Sequence, residues 1–296
     1  MKTATLLKGE EFNCLIPQKT EAIIFSHEVK PKDIKKYIDV SKKQNGSIIA
    51  WLDGTTWKVS TQDDSMAIMA NQSCGGMFYD CHGLKEIIFD NFDTSNVTDM
   101  NDMFFGCDNL TFLDISNFDT SNVTDMNWMF IDCKLLTNLN VSNFDTSKVT
   151  RMGYMFYNCK ALTTLDLSNF DTSKITDMGS MFGFCCNLTS LDAGGFDTRK
   201  VTNMKSMFFR CDNLTSLDIS NFDTSNVTDM SWMFSKCQSL QELNLDSFDT
   251  SKVKNMDYMF RGCSKLKKCD TSHFIMDSVI NKQDMFEGCT KLKTKW

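Results

Sequence analysis

The sequence predicts an α/β solenoid: a linear array of short parallel strands and short helices preceded by a small β-rich cap. Three observations predict it. A Phe-Asp pair recurs at Phe92, Phe118, Phe144, Phe170, Phe196, Phe222 and Phe248, always 26 residues apart. A cysteine keeps the same interval through nine copies, from Cys81 to Cys289, without insertion or deletion. Each copy also carries an apolar frame of constant spacing. A fixed period of this size is the signature of repeat architectures, in which each unit buries its apolar face against its neighbours. We number the repeats 1 to 9 by their closing cysteine.

Residues 1–73 hold no copy of the repeat and read as the cap. Ala22 to Phe25, Ile48 to Leu52, Thr55 to Ser60 and Ala67 to Ala70 are apolar-rich runs of strand length. Asp53-Gly54 between two of them is a two-residue hairpin signal. Pro31 to Tyr37 reads as a short helix. Such a segment covers the open face of the first rung, as the end of a solenoid requires.

Residues 74–296 are the solenoid. In the copy that starts at Leu110, Leu113 and Ile115 complete an L-x-x-L-x-L frame, the strand signature of a leucine-rich repeat. Alternation over Leu113, Asp114 and Ile115 turns two apolar residues to one strand face and a carboxylate to the other. Ser116 to Asn122 is rich in turn formers, with Phe118 as its one large apolar anchor. Met126, Met129, Phe130 and Cys133 then fall at i, i+3, i+4 and i+7, the stripe of a short amphipathic helix, with Thr124 and Asp125 suited to its start. Nine rungs at about 4.8 Å predict a parallel sheet roughly 38 Å long. At the far end Cys269 replaces a core leucine, and Lys291, Lys293 and Lys295 place charge where an open edge would invite another chain.

The long motif L-x-x-L-D-L-S-N-F-D-T-S-x-V-T-x-M-x-x-M-F-x-x-C resembles that of the BspA-like leucine-rich-repeat surface proteins, a group also abundant among mycoplasma lipoproteins. The stretch from Gly46 to Gln62 resembles the segment that leads into their repeats. The resemblance implies adhesion: a protein of the cell surface, or a secreted one, that binds a protein or glycan on a host or neighbouring cell.

Composition excludes other classes. A net charge of −7 and a pI near 5.0 do not suit a nucleic-acid backbone partner. With 42% hydrophobic residues there is enough for a continuous core, and no run of 18 apolar residues reads as a membrane span. The start, MKTATLLKGEEFNCLIP, has only a four-residue weakly apolar stretch before Lys8 and does not read as a secretory signal, which keeps a cytoplasmic interaction scaffold as the alternative. Sequons at Asn96, Asn109, Asn122, Asn187, Asn213 and Asn226 sit where stacked glycans would jam the rungs.

No motif carries catalysis: no triad, paired carboxylates, P-loop or dinucleotide fingerprint occurs, and no cofactor is implied. The 13 cysteines lack ligand or C-x-x-C spacing, and the ladder cysteines read as buried thiols. The aspartate columns, Asp119 to Asp249 and Asp114 to Asp218, read as caps of their own turns rather than calcium ligands. What varies between copies is therefore the candidate binding surface. On the open, concave strand face stand Phe112, Asn138, Thr164, Ser190, Ser216 and Glu242. On the helix side, Trp128, Tyr154, Trp232 and Tyr258 form the alternative face. The expected molecule is a monomeric, non-enzymatic binding protein.

Overall fold

The computed structural model describes residues 2–293. Lys295, one of the three predicted edge guards, lies outside the described residues, and no strand is formed at Lys291 or Lys293. The cap holds β1 (Lys2–Thr5), α1 (Gly9–Asn13), β2 (Ala22–Ser26), β3 (Ile38–Asp39), β4 (Ile49–Asp53), β5 (Thr56–Ser60) and β6 (Met66–Met69). The four predicted cap strands are present, β2, β4, β5 and β6. The hairpin β4–β5 closes at Asp53↔Thr56, with Gly54 at φ +62° in the turn. Pro31 to Tyr37, expected to be a helix, is instead a turn at Lys32 and Asp33 followed by irregular chain. Lys30 holds it from outside, its Nζ donating to the Ile34 carbonyl at 2.6 Å and to that of Pro31 at 3.2 Å.

Cap and repeats share one sheet. β2 pairs in parallel with β5 on one side and with β7 (Glu86–Phe89) on the other, and β7 pairs with β8 (Phe112–Leu113). Phe12, Phe25 and Trp57 of the cap and Phe78 of repeat 1 pack with ring centroids 5.0 to 6.4 Å apart. The buried core runs without a break from Ala4 to Leu292.

Beyond β8 the predicted sheet is interrupted. β9 (Ser190–Asp192) pairs only with β10 (Ser216–Asp218), and β11 (Glu242–Leu243) only with β12 (Lys268–Cys269). The equivalent segments around Leu139 and Leu165 form no strand. The apolar pattern nevertheless holds in these segments: Leu139, Val141, Leu165 and Leu167 are buried. Burial of one face thus survives where the strand pairing does not.

The predicted helices of the repeats are absent: the helix of the described residues is α1, in the cap. The stripe itself is as expected, since Met126, Met129, Phe130 and Cys133 are fully buried. The backbone that carries it is a chain of turns. In repeat 2 the amides of Met103, Phe105 and Cys107 donate to carbonyls three residues back, while those of Met100, Asp102, Phe104 and Gly106 donate to Asp125, Asn127, Met129 and Ile131 of repeat 3 at 2.8 to 3.0 Å. Alternate amides thus serve the rung and its neighbour, so the i→i−4 bonds of a helix cannot form. The scheme requires left-handed backbone at two places per repeat, Asp102 (φ +55°) and Gly106 (φ +71°) in this one.

Buried side chains complete the stacking. The phenylalanines of the Met-Phe pair form a column of parallel rings, Phe104 on Phe130 at 5.5 Å and Phe130 on Phe156 at 5.7 Å. Each ladder thiol from Cys107 to Cys289 donates to the carbonyl of the phenylalanine 29 residues back, Cys159 to Phe130 at 3.1 Å for example. The threonine of Phe-Asp-Thr is buried as well: Thr146 Oγ1 donates to the Asp171 carbonyl at 3.0 Å and accepts from the Asp171 amide at 2.7 Å. A polar side chain in a core is tolerated when its hydrogen bonds are made inside.

Candidate binding faces

Two faces carry the side chains that differ between repeats. The strand face follows from alternation: Leu113, Leu139, Leu191 and Leu243 point inward and their predecessors outward. Phe112 is 59% exposed, and Asn138, Thr164, Ser190, Ser216 and Glu242 are exposed too. Pairing brings Ser190 beside Ser216, Phe112 beside Glu86 and Glu242 beside Lys268. The last two are joined by an ion pair of 3.7 Å. A shallow depression at this end is lined by Glu242, Asn244, Asp246, Lys268 and Asp270. Between Phe112 and Ser190 the column has no strand pairing, so the six predicted residues share a face without sharing a sheet.

The aspartates of this face cap local backbone. Asp114 Oδ1 accepts from the Ser116 amide at 3.0 Å and Asp166 Oδ1 from Ser168 at 3.0 Å; Asp145 and Asp171 do the same one segment later, each with the serine two residues on, at 2.9 Å. These bonds hold the carboxyls below their ordinary range, the serine side chain and amide being the cause. Asp197, gripped by the Arg199 guanidinium, is lowered to about 2. The capping reading of the columns is what the geometry displays.

The turn face, expected as the side of a helix, is the outer side of the turn chain. Trp128, Tyr154, Trp232 and Tyr258 all occupy the first left-handed position of their repeats, at φ +58° to +62°. A bulky L-residue there costs about 1 to 2 kcal/mol. Trp128 and Tyr154 are 41% and 38% exposed. Trp232 and Tyr258 are half-buried against each other, with centroids 4.2 Å apart. A path of ring contacts crosses five repeats, Tyr154–Tyr157–Phe184–Phe209–Trp232–Tyr258, at 4.2 to 5.6 Å. The guanidinium of Arg261 lies 5.1 Å from Tyr258 and that of Arg210 5.5 Å from Phe184.

Sequence reading missed Phe184 and Arg210 because they occupy the second left-handed position, just before the cysteine. The signal was present: that position holds Asp80, Gly106, Asp132, Asn158, Gly262 and Gly288, the residue types that tolerate left-handed backbone. Charge on the turn face is uneven. Asp80, Asp102 and Asp132 mark repeats 1 to 3, and Lys205, Arg210 and Lys236 mark repeats 6 and 7. Burial, with Asp125 and Asp99 nearby, lifts the Asp102 carboxyl to about 6 against the bond from Asn101.

The thiol column is inert by the same physics. Burial pushes Cys185 and Cys237 up to about 12 and raises Cys107, Cys133, Cys159 and Cys211 well above the ordinary 9.0. None of these is a nucleophile near neutral pH, since the thiolate is the reactive form. No cluster of three or more potential metal-ligating side chains occurs among the described residues, and no described helix is long and apolar enough to cross a membrane.

A 26-residue array with recurrent apolar buried columns and variable outer faces defines a repeat protein of the leucine-rich type. The chain belongs to the family described as Mycoplasma protein of unknown function, DUF285, which matches residues 72–191 and 184–296. The family match bears out the resemblance read from the repeat motif. Among solved structures, the chain is similar to a leucine-rich repeat protein from Eubacterium ventriosum, with 15% identity over 84% of this chain and 94% of that one, and a TM-score of 0.36. A comparison with curated proteins finds no match.

Proposed function

We propose that the chain is a non-enzymatic binding protein, an adhesin-type solenoid whose concave strand face engages a protein or glycan on a host or neighbouring cell. The observation that supports it is the division of labour within each repeat. Leucine, methionine, phenylalanine, cysteine and threonine positions are committed to the core, and side-chain freedom is left at exposed positions such as Phe112 and Glu242. An extended array of small polar groups with an aromatic at one end and an ion pair at the other suits multi-point recognition dominated by a few anchors. The surface setting follows the resemblance to BspA-like proteins; an intracellular interaction scaffold is the alternative reading.

Binding of the purified chain to immobilised matrix proteins and to a glycan panel tests it. Replacing Phe112 and Glu242 together by alanine should weaken capture at least tenfold with the melting temperature little changed, because both side chains are exposed. Unchanged capture by this variant would refute the strand face as the site. Labelling of intact source cells with a membrane-impermeant reagent separates the surface reading from the intracellular one.

A further inference from the structure

The turn face is complementary to itself, and we propose that two copies of this chain associate through it, antiparallel, about a two-fold axis between repeats 4 and 5. This goes beyond partner binding by the strand face and replaces the expectation of a monomer. In such a pair the axis runs along the rung direction, so repeat n faces repeat 9 − n of the second copy and each column of side chains meets itself. A two-fold interface uses the same patch on both copies.

That pairing places large side chains opposite small ones. Trp128 of repeat 3 meets Ser206 of repeat 6, and Tyr154 of repeat 4 meets Ser180 of repeat 5. The small partners are recessed: Ser180 is 5% exposed and Ser206 is half-buried. Ser180 and Ser206 line an open cleft between Tyr154 and Trp232. Trp128 and Tyr154, two of the most exposed rings in the repeats, are therefore the knobs, and the cleft is the hole.

Charge follows the same rule. Asp132 of repeat 3 meets Arg210 of repeat 6, and the acidic repeats 2 and 3 face the basic repeats 7 and 6. Within one copy Asp132 has Lys134 at 3.6 Å and the Asn158 amide, and Arg210 has Asp212 at 3.7 Å. Even so, Arg210 Nε and Asp212 Oδ1 are left buried without a hydrogen-bond partner. Lys205 and Lys236 make no ion pair among the described residues. Asp257, Asp284 and Glu287 lie past the basic block, Glu287 held by Arg261 at 2.6 Å. Composition agrees as well: tryptophan, tyrosine and arginine are the residues that carry interfaces. Bulky aromatics persist at left-handed positions where serine or glycine would be easier, and such local strain points to a role outside folding.

The test uses residues that the column already carries, so the fold is not in question. Light scattering on a sizing column and sedimentation equilibrium of the full chain should give twice the chain mass. Trp128→Ser removes a knob and Ser206→Trp fills a hole; each alone should weaken self-association at least tenfold with circular dichroism unchanged. The double variant W128S/S206W exchanges knob and hole on facing repeats and should restore the dimer. A chain that stays monomeric to millimolar concentration overturns the proposal, as does a dimer indifferent to both single variants, or a double variant no better than the singles. None of these outcomes bears on the strand face, whose loss is read by partner capture.

Discussion

The strand side and the turn side of each repeat carry the same apolar discipline and yet hold together differently. On the strand side, pairing within the repeats is confined to β7–β8, β9–β10 and β11–β12, two or three residues at a time. On the turn side, alternate amides bridge from one repeat to the next along nearly the whole array, from Cys74 to Gly262. The buried thiol and threonine columns add side-chain bonds to that ladder. The continuity of the molecule thus rests on its turns more than on its strands. The lesson is that periodic burial specifies which atoms are hidden, and leaves open which backbone hides them.

Alkali should break the turn side first, and this is the largest effect expected. In the folded chain burial holds the thiols of Cys185 and Cys237 protonated to about pH 12 and raises those of Cys107, Cys133, Cys159 and Cys211 well above their ordinary value. In the unfolded chain they ionise near their ordinary 9.0. The stabilisation they give is therefore complete below about pH 9 and falls as pH rises toward 12, by up to about 1.4 kcal/mol per pH unit for each thiol. Stability measured by urea unfolding should collapse above pH 9. Alanine at Cys159 and Cys185 together should flatten that decline; an identical pH profile in the variant would remove the thiols as its cause.

A smaller effect separates the two kinds of threonine. Thr146→Val strips the Asp171 amide and carbonyl of their buried partner and should cost about 1 to 3 kcal/mol. Thr189, exposed on the strand side, uses its hydroxyl only to donate to the Thr163 carbonyl at 3.2 Å, and Thr189→Val should fall within about 0.5 kcal/mol of the parent. Equal losses in thermal unfolding would erase the distinction between the sides.

The smallest effect differs in sign. Lys236 sits at φ +63°, so Lys236→Gly should stabilise by about 1 kcal/mol through relief of left-handed backbone. Ser190 begins a strand, and Ser190→Gly should destabilise by about 0.5 to 1 kcal/mol. Thermal melts of the two variants that moved in the same direction would contradict the backbone assignment.

Much of this was legible beforehand. The period, the register, the inward leucines and the cap strands all follow from residue spacing. The helix did not survive because Met126, Met129, Phe130 and Cys133 satisfy two backbones equally: a helix brings i, i+3, i+4 and i+7 to one side, and so does a chain with a left-handed residue every fourth position. Only the residue types at Asp102 and Gly106 discriminate, and Trp128 and Tyr154 in the same column conceal that signal. The interrupted sheet was hidden for the opposite reason, since Leu139 and Leu165 keep the strand pattern where no strand pairs. The candidate faces were legible as columns of variation. Their depth was not, because whether a tyrosine stands free like Tyr154 or leans on a neighbour like Tyr258 depends on the adjacent repeat.

The bonds between repeats all span one unit: 25 residues for the amide ladder and the buried threonine, 29 for the thiol. Every donor in one copy therefore finds the same acceptor in whichever copy comes next. A whole repeat removed or duplicated leaves each junction chemically unchanged, whereas a single-residue slip throws every column out of step. An array lengthened or shortened by whole repeats would keep the same bonding scheme at each junction. Reach, for a protein built this way, is a heritable trait that changes in 26-residue increments.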